Sequence, residues 1–214
     1  MSPFPGKTNN DDYQHVLAAG YEPQRVLFRA FFPDQIEPFE LELINESEQN
    51  DLALLRTDLK SQDIPVLDCV DNPEDLKMGQ TVLVIGYPTG FDAMLARLSP
   101  EQIDAILGKD GLTFKQMGYQ MSRLRLIWPI ATRGMCSRVR GGKIVYDAQT
   151  AIGGSGAPVL GSNGKVVAIN TALMKGFSGS NFGISADRGL ALFTQITSNP
   201  INLSSAQAGN LSTH

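Results

Sequence analysis

The chain is 214 residues long, 42% hydrophobic and 19% charged, with a formal net charge of −4. That is apolar material for one large or two small cores, and it excludes an intrinsically disordered chain. The mild acidity gives no reason to expect nucleic acid or an anionic membrane as partner, and no apolar run approaches the ~20 residues that span a bilayer.

The opening stretch, Met1 to Asn10, is polar and carries Pro3 and Pro5. It lacks the basic-then-apolar layout of a signal peptide. Apolar runs then predict strands over Val26–Phe32, Phe39–Ile44, Leu52–Leu55 and Thr81–Ile85. Pro33-Asp34 and Asn45-Glu46 are the turn signals between the first of these. Asp92 to about Leu126 reads as a helix-bearing insertion, expected to be a solvated decoration rather than a lid. Within it Ser99 is placed to cap a helix, Pro100 to open its first turn, and Gly108 to end it. Ile103, Ile106 and Leu107 share that helix's apolar face. Further strands are predicted at Ile127–Ser137, Lys143–Tyr146, Pro158–Leu160 and Val166–Ala172, with hairpin signals at Gly141-Gly142 and Asn163-Gly164. Trp128 reads as a core aromatic. From Ser198 onward the chain is rich in Ser, Asn, Ala and Gly and reads as a flexible tail. Many short strands with regular turns predict an all-β sandwich or barrel.

Cys69 and Cys136 are too few for a disulfide scaffold and read as free buried thiols. His15 and His214 are the only imidazoles, so a zinc site is not expected.

The sharpest chemical signal is Gly153-Gly154-Ser155-Gly156-Ala157-Pro158. A serine among glycines, followed by an apolar strand, suits a nucleophile on a tight turn. Glycines permit unusual backbone angles and bring N–H groups close to a substrate carbonyl. Such a donor contributes roughly 3–4 kcal/mol to the oxyanion of acyl transfer. A plain Gly/Ser turn is the alternative.

The surrounding residues resemble the HtrA (Deg) family of serine proteases. Asp147-Ala148, eight residues ahead of Ser155, resembles the Asp-Ala pair before that family's Gly-Asn-Ser-Gly-Gly-Pro core. Asn163-Gly164 with Ile169-Asn170-Thr171-Ala172, and Phe182-Gly183-Ile184, resemble its following strands. Ile85-Gly86-Tyr87-Pro88-Thr89-Gly90 resembles its Ile-Gly-Asn-Pro-Phe-Gly turn, Thr132 to Ser137 its Thr-x-Gly-x-Val-Ser strand, and Asp51-Leu52-Ala53-Leu54-Leu55 its Asp-Leu-Ala-Leu-Leu run. His15-Val16-Leu17 resembles the family's His-Val-Val. Gly154 stands where the family carries Asn or Asp, and Ala157 where it carries Gly.

The resemblance implies a chymotrypsin-like fold of two antiparallel β-barrels. The expected divisions are 1–90 for the first barrel, 91–126 for the insertion, 127–198 for the second barrel and 199–214 for the tail. No strand is read before His15, so the first barrel is expected to be incomplete, and no PDZ domain is read after the second. The implied activity is a serine endopeptidase acting on polypeptides without a cofactor. His15 would be the base, Asp51 its orienting acid and Ser155 the nucleophile. Gly153, Gly154 and Ser155 would form the oxyanion hole. Ala151, Ile152, Asn170, Thr171 and Ala172 would line a pocket for a small or aliphatic P1 residue. Trypsin-like enzymes that take basic residues carry Asp at the position of Gln149. Asp147 reads as a structural tie for the loop before the nucleophile. The family is often periplasmic and often trimeric, so homo-oligomers are an expectation and the compartment is left open. A non-catalytic or truncated protease fold serving as a peptide-binding scaffold stays open as the rival reading.

Overall fold

The computed structural model describes residues 28–59, 64–107, 114–173 and 180–197. The described residues divide into two compact units, one taking 28–29, 40–58 and 191–197 and the other 30–39 and those from 59 to 190. The predicted run at Val26 begins outside the described residues, as do His15 and the tail.

The first unit carries a three-stranded sheet in the order β1-β2-β3, formed by β1 (Phe28–Ala30), β2 (Phe39–Ser47) and β3 (Leu52–Arg56). Strands β2 and β3 are antiparallel, with Ser47 opposite Leu52 and Glu42 opposite Arg56. Arg56 and Glu42 also form an ion pair at 2.7 Å. Asn45-Glu46 is not the predicted turn. Both residues lie within β2, where the register slips between Leu43 and Asn45, and Asn45 Oδ1 accepts from the Glu46 N–H at 2.9 Å. A local side-chain bond of this kind suits a bulge as well as a turn, which is why the dipeptide misled.

The second unit holds a closed six-stranded barrel in the order β4-β5-β6-β9-β8-β7. Its strands are β4 (Thr81–Gly86), β5 (Ile130–Arg140), β6 (Lys143–Tyr146), β7 (Pro158–Gly161), β8 (Val166–Leu173) and β9 (Asn181–Ser185). All paired neighbours are antiparallel. Closure removes the exposed edges that an open sheet would present. Strand β4 pairs with β5 and β7, so this barrel takes in residues ahead of the expected boundary at 90. Period-two alternation directs Val82, Val84, Ile144, Tyr146 and Val159 into the core, where Cys136, Ala148, Ala157, Val167 and Ala168 join them. The hairpin between β5 and β6 turns on Gly141 and Gly142, with φ of 61° and 75°. Two successive positive φ values are what a two-residue type I′ loop requires.

Among the described residues, three helices lie between β4 and β5: α1 (Phe91–Leu95), α2 (Pro100–Leu107) and α3 (Phe114–Arg123). The predicted cap of α2 is present. Ser99 Oγ accepts from the Gln102 N–H at 3.3 Å, and Gln102 Oε1 accepts from the Ser99 N–H at 2.9 Å. This reciprocal pair is a capping box. The helices have a core of their own around Met94, Ile106, Met121 and Ile127, with Phe31 and Tyr87 packed against it. The buried Ser122 hydroxyl is shared by the Gln35 and Ile36 carbonyls at 2.5 and 2.9 Å. A helix that was not predicted, α4 (Ala186–Thr197), follows β9. Trp128 is half exposed rather than a core residue, and its indole N–H donates to the Arg125 carbonyl at 3.0 Å. Among the described residues no helix is long and apolar enough to cross a membrane. Both cysteines are free; Cys136 is buried and Cys69 half-buried.

Candidate active site

The segment from Asp147 to Ala157 joins β6 to β7 without regular structure, yet almost every residue in it is tied down. Asp147 Oδ1 accepts from the Met135 N–H at 2.5 Å. The Ala148 carbonyl accepts from Asn181 Nδ2 at 2.6 Å, and the Gln149 carbonyl from Thr132 Oγ1 at 2.6 Å. The Ala151 carbonyl accepts from the Gly154 N–H at 2.9 Å, and the Ile152 carbonyl from the Thr89 N–H at 2.7 Å. Most residues of the segment thus have hydrogen-bond partners within the same unit.

Glycine is required at particular places. A Cβ on Gly134 would lie 2.5 Å from Ala148 Cα and closer still to Ala148 N and Asp147 Oδ1. Strand β5 therefore approaches the loop more closely than any side chain permits. Gly153 has a φ of 91° and packs on the Tyr87–Gly90 turn, where Thr89 and Gly90 are themselves left-handed, with φ of 58° and 55°. Ala157, in the place of a family glycine, faces Gly86, on which a Cβ would come within 2.7 Å of the Ala157 methyl. The missing side chain at 86 makes room for the added methyl at 157.

Ser155 is exposed, and its hydroxyl donates to the Thr171 carbonyl at 3.1 Å. Gly154 beneath it is buried. Of the three proposed oxyanion residues, Gly154 uses its N–H within the turn. The N–H groups of Gly153 and Ser155 find no acceptor among the described residues. Asn170, 3% exposed, lies directly under the turn. Its backbone N–H donates to the Ala157 carbonyl at 2.8 Å, and its carbonyl accepts from the Gly156 N–H at 2.7 Å. Its Nδ2 donates to the Gly154 carbonyl at 2.7 Å and, more weakly, to Thr150 Oγ1 at 3.4 Å, while Oδ1 accepts from the Tyr146 hydroxyl. Burial pushes the Tyr146 phenol above its ordinary value and keeps it a donor.

The remaining site residues fall as follows. Ala151 is half-buried, and Ile152 is 86% exposed. Thr171 and Ala172 lie on β8, with Ala172 opposite Phe182 of β9. Asp51 belongs to the other unit. It closes a 3-10 turn, Glu48–Asn50, in a left-handed conformation with φ of 51°, its N–H donating to the Glu48 carbonyl at 3.3 Å. Leu52 immediately after it is buried. His15 lies outside the described residues. Sequence reasoning took Asn170 only as a pocket wall and assigned no role to Tyr146. A polar residue on the inward side of a core strand, two positions from Ala168, was the available signal.

An antiparallel barrel that presents a serine on a glycine turn, with two backbone donors beside it, has the architecture of the chymotrypsin-like serine peptidases. The chain belongs to the trypsin-like peptidase domain family, whose model matches residues 8–169. It is similar to two probable periplasmic serine endoproteases described as DegP-like. That of Pseudomonas putida (strain W619) is 28% identical over 192 residues, 88% of this chain and 32% of the relative. That of Pseudomonas fluorescens is 29% identical over the same length, again 88% of this chain and 32% of the relative. The chain thus spans about a third of the length of these curated relatives. Among solved structures, Rv3671c of M. tuberculosis H37Rv in an inactive form aligns with 76% of this chain and 67% of its own, at 17% identity and a TM-score of 0.50. Deg5 aligns with 75% and 62%, at 20% identity and a TM-score of 0.50. At these identities the two structures support the shared fold.

Proposed function

We propose that this chain is a serine endopeptidase in which Ser155 attacks a peptide carbonyl, His15 takes and returns the proton, and Asp51 holds the imidazole in the required tautomer. The steps are those of acyl transfer. Ser155 Oγ bonds to the carbonyl carbon as its proton passes to His15. The C–N bond breaks as that proton passes to the leaving amine, and water then releases the acyl group by the same route. The observation that carries this reading is the turn itself: an exposed Ser155 flanked by the N–H groups of Gly153 and Ser155, neither with an acceptor among the described residues. No cofactor enters this chemistry.

The pocket proposed for the P1 side chain is lined by Ala151, Ile152, Asn170, Thr171 and Ala172. Asn170 has both side-chain polar atoms engaged by Tyr146, Gly154 and Thr150, so it offers a substrate no strong polar handle. With Gln149 in place of an acid, this favours a small or aliphatic P1 residue. Discrimination by such a slot is shallow, about 1–3 kcal/mol per methylene. Hydrolysis of a peptide library by the full chain, read by mass spectrometry, tests the reading. Cleavage after Ala, Val or Ile that Ser155→Ala abolishes supports it, whereas cleavage concentrated after Lys and Arg contradicts the pocket assignment.

The rival reading, a non-catalytic peptide-binding fold, is favoured by one contact: the Ser155 hydroxyl is already bonded to the Thr171 carbonyl. A folded chain that binds extended peptides without cleaving them would establish it.

A further inference from the structure

We infer that the buried pair Tyr146–Asn170 orients the Ser155 N–H as an oxyanion donor, acting through the Gly154 carbonyl. The inference rests on the proposed acyl-transfer reading of Ser155 and adds two positioning residues to it.

The geometry is that of one peptide plane. The Gly154 carbonyl and the Ser155 N–H belong to the same peptide bond, and among the described residues there are no cis peptide bonds. In a trans peptide the C=O and N–H point in opposite directions. Asn170 Nδ2 holds the Gly154 carbonyl from beneath at 2.7 Å, so the Ser155 N–H is aimed away from Asn170, on the exposed side of the turn. Turning that N–H inward would require breaking a buried hydrogen bond and leaving the Asn170 amide without its strongest acceptor.

The amide is itself oriented. A carbonyl oxygen can only accept, so the Asn170 group facing Gly154 must be Nδ2, and Oδ1 must then take a donor. The Tyr146 hydroxyl, on a fully buried side chain, is that donor. A flip of the amide would set Oδ1 against the Gly154 carbonyl, acceptor against acceptor, and it is this contact that fixes the amide's orientation. The turn leaves no space for an anchor of its own at this position. A Cβ on Gly154 would overlap Thr150 Oγ1 and lie 3.0 Å from the Ala151 carbonyl. The anchor is therefore supplied from β8 and β6 rather than from residue 154.

The test uses the full chain with Asn170→Ala, Asn170→Asp and Tyr146→Phe, each first checked for a parent-like thermal transition. Asn170→Asp keeps the volume and the acceptor for Tyr146 but, when ionised, cannot donate to Gly154. Tyr146→Phe keeps the packing and deletes only the hydroxyl. Two quantities are read: the fluorophosphonate inactivation constants, with kinact separated from KI, and the Ser155 amide resonance in a 15N–1H spectrum. The expected result is a kinact lower by roughly 10²-fold for both Asn170 variants and about tenfold for Tyr146→Phe, with KI little changed, as for loss of an oxyanion donor rather than of binding. The Ser155 amide resonance shifts in all three. A folded Tyr146→Phe or Asn170→Ala with parental kinact, or an unmoved Ser155 resonance, overturns the inference. Failure of the parent itself to react would count against the peptidase reading instead, and the amide resonance would still decide whether Asn170 orients that N–H.

Discussion

The backbone N–H of Thr89 donates to the Ile152 carbonyl at 2.7 Å. The turn after β4 thereby grips the residue just before Gly153, and the trans peptide it grips carries the Gly153 N–H on its opposite side. Both candidate oxyanion donors thus sit on peptide planes whose carbonyls are fixed from elsewhere in the same unit, one by Thr89 and one by Asn170.

That grip depends on Gly90, which holds φ 55° and ψ −126°. Nothing lies within 4 Å of a Cβ built there, so a substitution meets backbone strain and no clash. Gly90→Ala is expected to destabilise the fold by about 1–3 kcal/mol, the range for a non-glycine residue forced into such a region. Chemical denaturation of parent and variant checks this; equal midpoints and slopes would show that the turn relaxes freely.

Gly134 presents the opposite case, where space and not φ is limiting. A Cβ there would press on the Asp147–Ala148 backbone, which cannot yield as a flexible side chain would. Gly134→Ala is expected to destabilise by roughly 1–3 kcal/mol or more, as overpacking does, and to loosen the loop that leads to Ser155. Limited proteolysis mapped across residues 147–157 should find faster cleavage than in the parent.

Asp147 separates a catalytic acid from a structural tie. Its carboxylate serves the Met135 N–H. Asp147→Asn keeps an oxygen acceptor and is expected to leave fluorophosphonate labelling near the parental rate. Asp147→Ala leaves that N–H without its acceptor and should lower stability by about 1–3 kcal/mol. Loss of labelling in a stable Asp147→Asn protein would reverse the assignment.

The Tyr146 phenol is raised by burial, which disfavours its anion in the folded state. An unfolded tyrosine ionises near pH 10. Above that point the unfolded chain gives up protons that the folded chain retains, so stability is level below about pH 10 and falls as pH rises further. Tyr87 is raised by burial as well and adds to the same slope. Tyr146→Phe should therefore show a shallower loss of stability between about pH 10 and 11.5, read from denaturation midpoints across that range.

Much of the barrel was legible because its strands alternate. In β4, Val82 and Val84 are buried while Leu83 between them is exposed, and in β6 Ile144 and Tyr146 are buried while Val145 between them is only half-buried. The α2 cap was legible because Ser99, Pro100 and Gln102 act locally. What was not legible depended on partners far along the chain. The Asn45-Glu46 bulge is set by pairing with β3. Asn170 looked like a pocket wall because its motif position suggested one. Its hydrogen bonds reach Tyr146, 24 residues away, and Gly154, 16 away, which no local pattern reveals. The glycine run around Ser155 was readable as a turn, but the reason Gly154 must be glycine lies in the Thr150 hydroxyl above it.

The proposed peptidase stands on Ser155 being a nucleophile activated by His15. The most direct measurement is labelling of the full chain with a fluorophosphonate probe, with the modified residue located by mass spectrometry in the parent, Ser155→Ala and His15→Ala. A single phosphonylated residue, Ser155, is expected in the parent, with loss of labelling in both variants. A well-folded parent that takes up no label, or label that survives in folded His15→Ala at the parental rate, would contradict it.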